Sequence, residues 1–385
     1  MRKEKISVGI ITYHEPYSYG ADLQCLGLQL FLEELGCKAE VIDYSMNAYL
    51  ELRSKRKLRS LYQRMARFMW NPSGFIKAKR NAVNIAEKSA DFQKQLEERN
   101  RKFREFQNKY YHTSSKRYER YSELKNDPPI YDAYICGSDQ IWNPFFCDMD
   151  DNYFLAFAPK GRRIAYAPSI GVQKFPNYAR KEYKKRLKEI DALSVREKTG
   201  AKIVKELIGQ DVPVVIDPTF LITGERWSKL ADDSDLVLPV EYMLTYFIGI
   251  DEHIQNFIEC VKEAFPQYQI INLVFDQSSY GPCDFIKLIS QARFVFTNSF
   301  HGLAFCINLN VPFAVGRTLK DYGSGSAFSR IEDLLENLEL SDRIYDGTVR
   351  LDTSWLTLDF SEANRKRKEL VLQSKEFLEE ALWTL

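Results

Sequence analysis

An α/β fold in two halves, each an open sheet flanked by helices, is what this sequence predicts, and three observations carry the prediction. Near the start, an apolar run over residues 6–12 passes through a turn at 17–20 into a helix-spaced stretch over 21–35 and a second run over 38–43. That is a β-loop-α-β opening. Far along the chain the pattern returns, with runs over 241–250 and 269–274 around a helix over 251–265, then the stretch FVFTNSFHGLAFCINLNVPFAV over 294–315. At 385 residues the chain is long enough for two such Rossmann-like units, each burying its own core.

The bulk properties exclude several classes. Lys plus Arg number 54 and Asp plus Glu 53, so a net charge of +1 gives no global case for nucleic-acid binding. No apolar run approaches the length that spans a bilayer. The start, MRKEKISVGIITYH, has an apolar part too short for a signal peptide and reads as a first strand. The seven cysteines form no CxxC pair and lie mostly in apolar runs, which predicts reduced thiols and no metal site. The 22 Tyr and 25 Phe are expected mainly in the core, with some lining a sugar site.

In the opening unit a glycine stands beside the helix start, so Tyr19, Gly20 and Ala21 are candidates to present N–H groups to a ligand. Residues 52–86 contain no acidic side chain, yet ten Lys and Arg interleave there with Leu58, Leu61, Met65, Phe68, Met69 and Trp70 at helical spacing. Such a basic amphipathic segment, 53–80, suits an anionic membrane surface or a pyrophosphate; a solvated helix face or a partner surface is the bland alternative. Residues 81–111 read as polar helix, so the whole forms a helical insertion in the first half. The sheet resumes at 131–136 and ends in GSDQIWNP, where Ser138, Asp139 and Gln140 could hold sugar hydroxyls or simply build an Asx-type turn.

A strand over 163–167, a helix over 178–190 and a strand over 192–195 follow. Arg196 ends that strand at the start of a helix, where a guanidinium fork matches phosphate or carboxylate; pairing with Glu197 or Asp191 is the alternative. A strand over 212–216 then turns at Asp217-Pro218-Thr219 into a linker over 222–240 that carries Trp227. In the second half a helix is expected over 283–291. In the 294–315 stretch, Thr297, Asn298 and Ser299 stop a strand and cap a helix whose first turn holds His301 and Gly302. Free N–H groups, the positive dipole end and an imidazole there suit an anion that must gain or lose a proton. A glycine-rich loop over 322–326 precedes Ser329 and Arg330, a second candidate anion clamp at the start of a helix over 331–338. Ser361 is expected to cap a long terminal helix that crosses back onto the first half.

Several segments together resemble the polysaccharide pyruvyl transferase family: SYGADLQCLGLQLFLEELG, YICGSDQIWNP, RIAYAPSIG, SVREKTGAKIVKELIG running into VVIDPTFLI, FTNSFHGLAF and SRIEDLLENLEL. They run through both halves in the family's order, and leave the helical insertion, about 45–125, unexplained. The resemblance implies a GT-B-like pair of Rossmann-like domains. Residues 1–222 would form the acceptor side, 223–360 the donor-phosphate side, and 361–385 a helix packing back on the first domain.

It also implies transfer of pyruvate from phosphoenolpyruvate onto a sugar of a surface polysaccharide precursor held on a carrier lipid. The product would be a cyclic ketal, with phosphate released and no metal or organic cofactor needed. The expected location is cytoplasmic, peripheral at the inner face of the membrane through segment 53–80. His301 and Arg196 take the catalytic roles; Arg196, Arg330, Asn298, Ser299, Gly302 and Ser329 would hold the donor; Tyr19, Gly20, Ser138, Asp139 and Gln140 would hold the acceptor. The chain departs from the family pattern at Ser299, where many members carry Arg, so Arg330 or Arg317 would have to supply the cation. The rival readings are a nucleotide-sugar glycosyltransferase of the same architecture and a non-catalytic glycan-binding or assembly protein.

Overall fold

The computed structural model describes residues 5–15, 17–55, 61, 65, 90–249, 251–274, 279–318, 328–347 and 350–384. Among these residues the first half contributes strands β1 (Ser7–Ile11), β2 (Lys38–Val41), β3 (Ala133–Cys136), β4 (Arg163–Ala165) and β5 (Ala192–Leu193). They form a parallel sheet in the order β2-β1-β3-β4-β5, with Val8 level with Ala133 and Ile10 with Ile135. The second half contributes β6 (Tyr242–Phe247), β7 (Gln269–Val274), β8 (Phe294–Thr297), β9 (Phe313–Gly316) and β10 (Ile344–Tyr345). Their order is β10-β9-β8-β6-β7, which, counted from β6, repeats the connectivity of the first sheet. Both sheets are α/β Rossmann-like, as the periodicity predicts. In each, the strand order reverses between the first and third strands, and a crevice opens there at the carboxyl ends. The functional residues described below stand beyond the carboxyl ends of these strands, Ser138 and Asp139 after β3, Arg196 after β5 and His301 after β8.

The helices of the first half are α1 (Tyr19–Glu34), α2 (Tyr49–Lys55), α3 (Ala90–Tyr110), α4 (Tyr121–Asn126), α5 (Asn177–Leu187) and α6 (Lys198–Ile208). Those of the second are α7 (Gly224–Ala231), α8 (Glu252–Ala264), α9 (Pro282–Ser290), α10 (Phe300–Asn308), α11 (Ser329–Asn337) and α12 (Ser361–Trp383). Helix α1 is buried nearly all round because it packs on its own sheet and also against the second half. One apolar core runs through Leu23, Leu26 and Phe31 of α1 into Phe285, Ile289, Leu303 and Phe305. Tyr19 stacks on Phe285 of α9 at 4.5 Å, and its hydroxyl donates to the Tyr280 carbonyl at 2.9 Å. Aromatic burial of this kind makes the inter-domain contact a core, not a loose hinge.

Helix α3, the longest described helix of the insertion, straddles the same seam. Its Gln107 amide donates to Asp22 of α1 at 2.6 Å, while Lys102 pairs with Asp284 of α9 at 2.7 Å and Lys109 with Asp233 at 2.7 Å. Helix α12 makes a second bridge. Its start meets the second half through Arg367 and the Asn308 side chain at 2.9 Å. Further along, Ser374 accepts the Ile216 N–H of the first half at 2.9 Å.

Three expectations need correction. Residues 212–216 form no strand but a single bridge, Val195 to Val214. Pro213 has no N–H to extend a ladder, and the Ile216 N–H goes to α12 instead. The 222–240 segment is more than a linker, since Thr223 caps α7 and Trp227 is fully buried with its indole N–H on the Thr219 carbonyl at 2.8 Å. Its Glu, Arg and Lys residues had masked the apolar stripe. Ser361 is not the cap of α12; it opens the helix, and Asp359 accepts its N–H at 2.8 Å. Most of the basic segment 53–80 and the glycine-rich loop 322–326 lie outside the described residues. No helix among the described residues is long and apolar enough to cross a membrane.

Candidate active site

The second-half side of the site is built by the strand-to-helix turn at the end of β8. Thr297 donates its hydroxyl to the Tyr246 carbonyl at 2.6 Å and accepts the Ser299 N–H at 3.0 Å, which fixes the turn. Ser299 is the N-cap of α10, its Oγ accepting from the Gly302 N–H at 3.2 Å. A side chain at Gly302 would press on Thr297 Oγ1 at 2.7 Å and on the Tyr246 ring at 2.9 Å, so glycine is required there. Phe300 and His301 occupy the first turn, both buried. The first half supplies the opposing wall. The backbone of Gly20, in the first turn of α1, lies so close to the imidazole that any Cβ there would collide with His301 Nδ1.

Asp217 joins the two walls. It caps a short 3-10 turn over Pro218–Phe220, with Oδ1 accepting the Thr219 N–H at 3.0 Å and hydroxyl at 2.8 Å. Its Oδ2 accepts from Arg196 Nη1 at 2.6 Å and from the Ser138 hydroxyl at 3.1 Å, and stands 3.7 Å from His301 Nε2. That last distance is beyond a hydrogen bond, so it is read as an electrostatic contact. Burial by itself would push the Asp217 carboxyl up; His301 and the Arg196 guanidinium instead hold it well below the usual carboxylate range.

Arg196 is the centre of this arrangement. Its side chain is only 2% exposed, yet Nε and Nη2 have no hydrogen-bond partner among the described residues. Nη1 is spent on Asp217; Nε and Nη2 form an open edge with two parallel donors, the geometry that binds a carboxylate or phosphate bidentately. Asp139 Oδ1 stands 4.0 Å from Nη2. The Arg196 guanidinium packs over the Phe300 ring at 4.5 Å, and Arg330, from the first turn of α11, approaches the same ring at 5.7 Å. Burial and the like charge of Arg196 push the Arg330 guanidinium down to about 10. Two like charges this close, one buried and one half-buried, suit an anion between them. Arg196, Glu197, Asp217, Phe300, Arg330 and Asp333 line one cleft between the halves. His301 is not on the wall of that cleft and reaches it through Asp217. Among the described residues no three His, Cys, Asp or Glu side chains are grouped to hold a metal ion.

The predicted site residues therefore separate. Arg196, Arg330 and His301 converge around Asp217 and Phe300, from both halves of the chain. Arg317 does not join them, because its guanidinium is engaged by Glu332 and the Phe328 ring. Ser299 and Gly302 shape the turn and spend their polar groups on each other. Asn298 ties its amide to the Ile248 backbone, accepting at 2.6 Å and donating at 3.3 Å. Ser329, half-buried, opens α11 beside Arg330.

On the acceptor side three of the five residues are buried. Tyr19 is fully buried in the inter-domain core, and Gly20 backs onto the His301 imidazole, so neither offers a surface to a sugar. Ser138 is buried and commits its hydroxyl to Asp217. Asp139 and Gln140 are half-buried, with Gln140 Oε1 accepting from Asn143 at 2.8 Å. Sequence reasoning missed Asp217 and Phe300. An Asp before Pro at the end of an apolar run is a capping signal, but the same pair also opens an ordinary turn.

A model of the family described as polysaccharide pyruvyl transferase matches residues 19–315 of the chain. The chain belongs to the polysaccharide pyruvyl transferase family. The match runs from the first turn of α1 to β9 and so spans Gly20, Arg196, Asp217 and His301. As a family member the protein is an enzyme that transfers pyruvate in polysaccharide pyruvylation. Among solved structures, this pyruvyl transferase is similar to a chain described as a UDP-N-acetylglucosamine 2-epimerase of Listeria monocytogenes. Identity is 13% and the TM-score 0.42, over 99% of this chain and 91% of that one. It is also similar to the ADP-heptose lipopolysaccharide heptosyltransferase II of E. coli, at 11% identity and a TM-score of 0.29, over 96% of this chain and 99% of that one. No curated protein sequence matched the chain.

Proposed function

We propose that this pyruvyl transferase takes its pyruvate from phosphoenolpyruvate and closes a cyclic ketal on two hydroxyls of a sugar, releasing phosphate. The observation that carries the reading is the open Nε and Nη2 edge of a buried Arg196, beside a second cation, Arg330, in one inter-domain cleft. Phosphoenolpyruvate bears a carboxylate and a phosphate on adjacent atoms, and two guanidiniums meet those two charges. Arg330 takes the place of the cation that many members carry at the position of Ser299. With both charges met by arginine, the reaction is proposed to need no metal or organic cofactor. His301, one carboxylate removed from the cleft, supplies the proton for the enol carbon through Asp217. Asp139 and Gln140 face the acceptor, a polysaccharide precursor on a carrier lipid. The proposed location is cytoplasmic, with segment 53–80 resting on the anionic inner face of the membrane.

Calorimetry with phosphoenolpyruvate, followed by mass analysis of a glycan product, tests this. The expected results are binding that Arg196→Lys weakens by about 100-fold, since the fork is lost, and a pyruvate mass increment. A hexose increment, or no binding of phosphoenolpyruvate by the unaltered chain, would refute it.

A further inference from the structure

One buried carboxylate in the cleft has no role in the scheme above. Glu197 follows Arg196 in the chain and is 3% exposed. It holds the N-cap position of α6, but its side chain does not cap the helix. Its Oε1 accepts from the Ile170 N–H at 2.8 Å, the Ser169 hydroxyl at 3.1 Å and the Gly171 N–H at 3.2 Å. Those three donors, all from the loop after β4, leave the carboxyl group a single orientation. The other oxygen, Oε2, is out of solvent and has no hydrogen-bond partner among the described residues. A buried acceptor without a donor is costly, and three fixed donors on its neighbour prevent it from turning away.

The position of Glu197 says which ligand would satisfy Oε2. It lines the cleft with Arg196, Asp217 and Arg330. Its negative charge acts on the guanidiniums of both arginines. The next residue, Lys198, donates its N–H to Asp333 of α11 at 3.2 Å, so this end of α6 faces the second half of the chain. An anionic donor substrate is repelled by this carboxylate. A neutral ligand with an O–H is what fits: it supplies the missing donor and brings no charge.

We infer that Glu197 Oε2 receives the attacking hydroxyl of the acceptor sugar and takes its proton. The assignment rests on the phosphoenolpyruvate reading. The hydroxyl oxygen bonds to C2 of the donor while its proton passes to Oε2, and the C2=C3 electron pair takes at C3 a proton that His301 passes on through Asp217. The C2–O bond to phosphate then breaks, with its electrons leaving on phosphate. The second hydroxyl closes the ketal at C2 and its proton departs with the phosphate; once the products leave, Glu197 gives up its proton to water and the imidazole takes one from water.

The test uses the full chain, phosphoenolpyruvate, and a panel of p-nitrophenyl hexopyranosides as acceptors. Where none is used, water is the acceptor in slow hydrolysis. Glu197→Gln keeps the oxygen that the 169–171 loop grips and replaces Oε2 by an amide. It is expected to lower phosphate release by about 100-fold or more while calorimetric affinity for phosphoenolpyruvate stays the same or tightens. Because the gripped oxygen is kept, the melting temperature of Glu197→Gln is expected to stay within about 2 °C of that of the unaltered enzyme. Phosphate release by Glu197→Gln within about fivefold of normal overturns the assignment. So does a fall of about 8 °C or more in its melting temperature, which would make Glu197 only a brace for its loop. If the unaltered chain fails to bind phosphoenolpyruvate, the donor reading itself falls and takes this assignment with it.

Discussion

Replacing Asp217 by Asn probes the joint on which the site depends. The amide keeps an oxygen for the Thr219 N–H and hydroxyl, so the cap at Pro218 survives. What is lost is the charge 2.6 Å from Arg196 Nη1, in a side chain only 2% exposed. Breaking a buried pair by removing one partner costs roughly 3–5 kcal/mol, because the remaining charge is stranded. Asp139, 4.0 Å from Nη2, shares part of the load, which places the expected loss near the lower figure, about 3 kcal/mol. The assay is urea unfolding at pH 7 of Asp217→Asn, Arg196→Met and the double variant. Since the second change removes the stranded charge, the double variant should be more stable than the sum of the single effects predicts, by about 2 kcal/mol. Additivity within about 0.5 kcal/mol would refute the coupling. The pH dependence has a definite sign. The Asp217 carboxyl is depressed on folding, so its contribution is fully present above the unfolded value of about 3.9 and is lost only as pH falls toward the folded value. The penalty of the Asn variant should be the same at pH 7 and pH 5 and narrow only in stronger acid.

Three other perturbations separate the parts of the site. Arg330→Ala should weaken calorimetric binding of phosphoenolpyruvate by about 10–100-fold, whereas Arg317→Ala, whose guanidinium is engaged by Glu332, should leave it within about twofold. Gly20→Ala suits a helix, so the fold should hold, but the new Cβ displaces the His301 ring. Turnover should fall by about 100-fold, beyond what the roughly 1–3 kcal/mol of overpacking takes from stability, and normal turnover would contradict the packing. Asp22 is a buried carboxyl pushed up to about 7 by burial against hydrogen bonds from Gln107 and Tyr111. A raised carboxyl binds its proton more tightly folded than unfolded, so stability falls as pH rises from about 4 to 7. Asp22→Asn should remove that fall and raise unfolding stability at pH 8 by about 2 kcal/mol, read in urea.

Most of the α/β framework is legible in the sequence because the signals are local. Residues 269–274 have the β-branched run of a buried strand, and the chain forms β7 over that range. Ser299 could be read as a cap from its place between an apolar run and a helical stripe, and it caps α10 through its own hydroxyl. Arg196 was legible as a strand-end guanidinium. The sequence is silent at Tyr19, because nothing local distinguishes a tyrosine that faces a cleft from one that stacks on Phe285 in the other half.

By itself, the sequence determined the repeated β-α-β units, the two strand-end turns that carry Arg196 and His301, and the family to which the chain belongs. Each follows from spacing within one segment, where helix and strand periods and cap chemistry act over a few residues. Only the tertiary structure decided that Asp217 stands between Arg196 and His301, that Arg330 and not Arg317 joins them, and that Gly20 backs the imidazole. Those relations depend on how α1, α3 and α12 dock one sheet against the other. Docking is fixed by the sum of many non-directional apolar contacts spread along the chain, and no single segment encodes it.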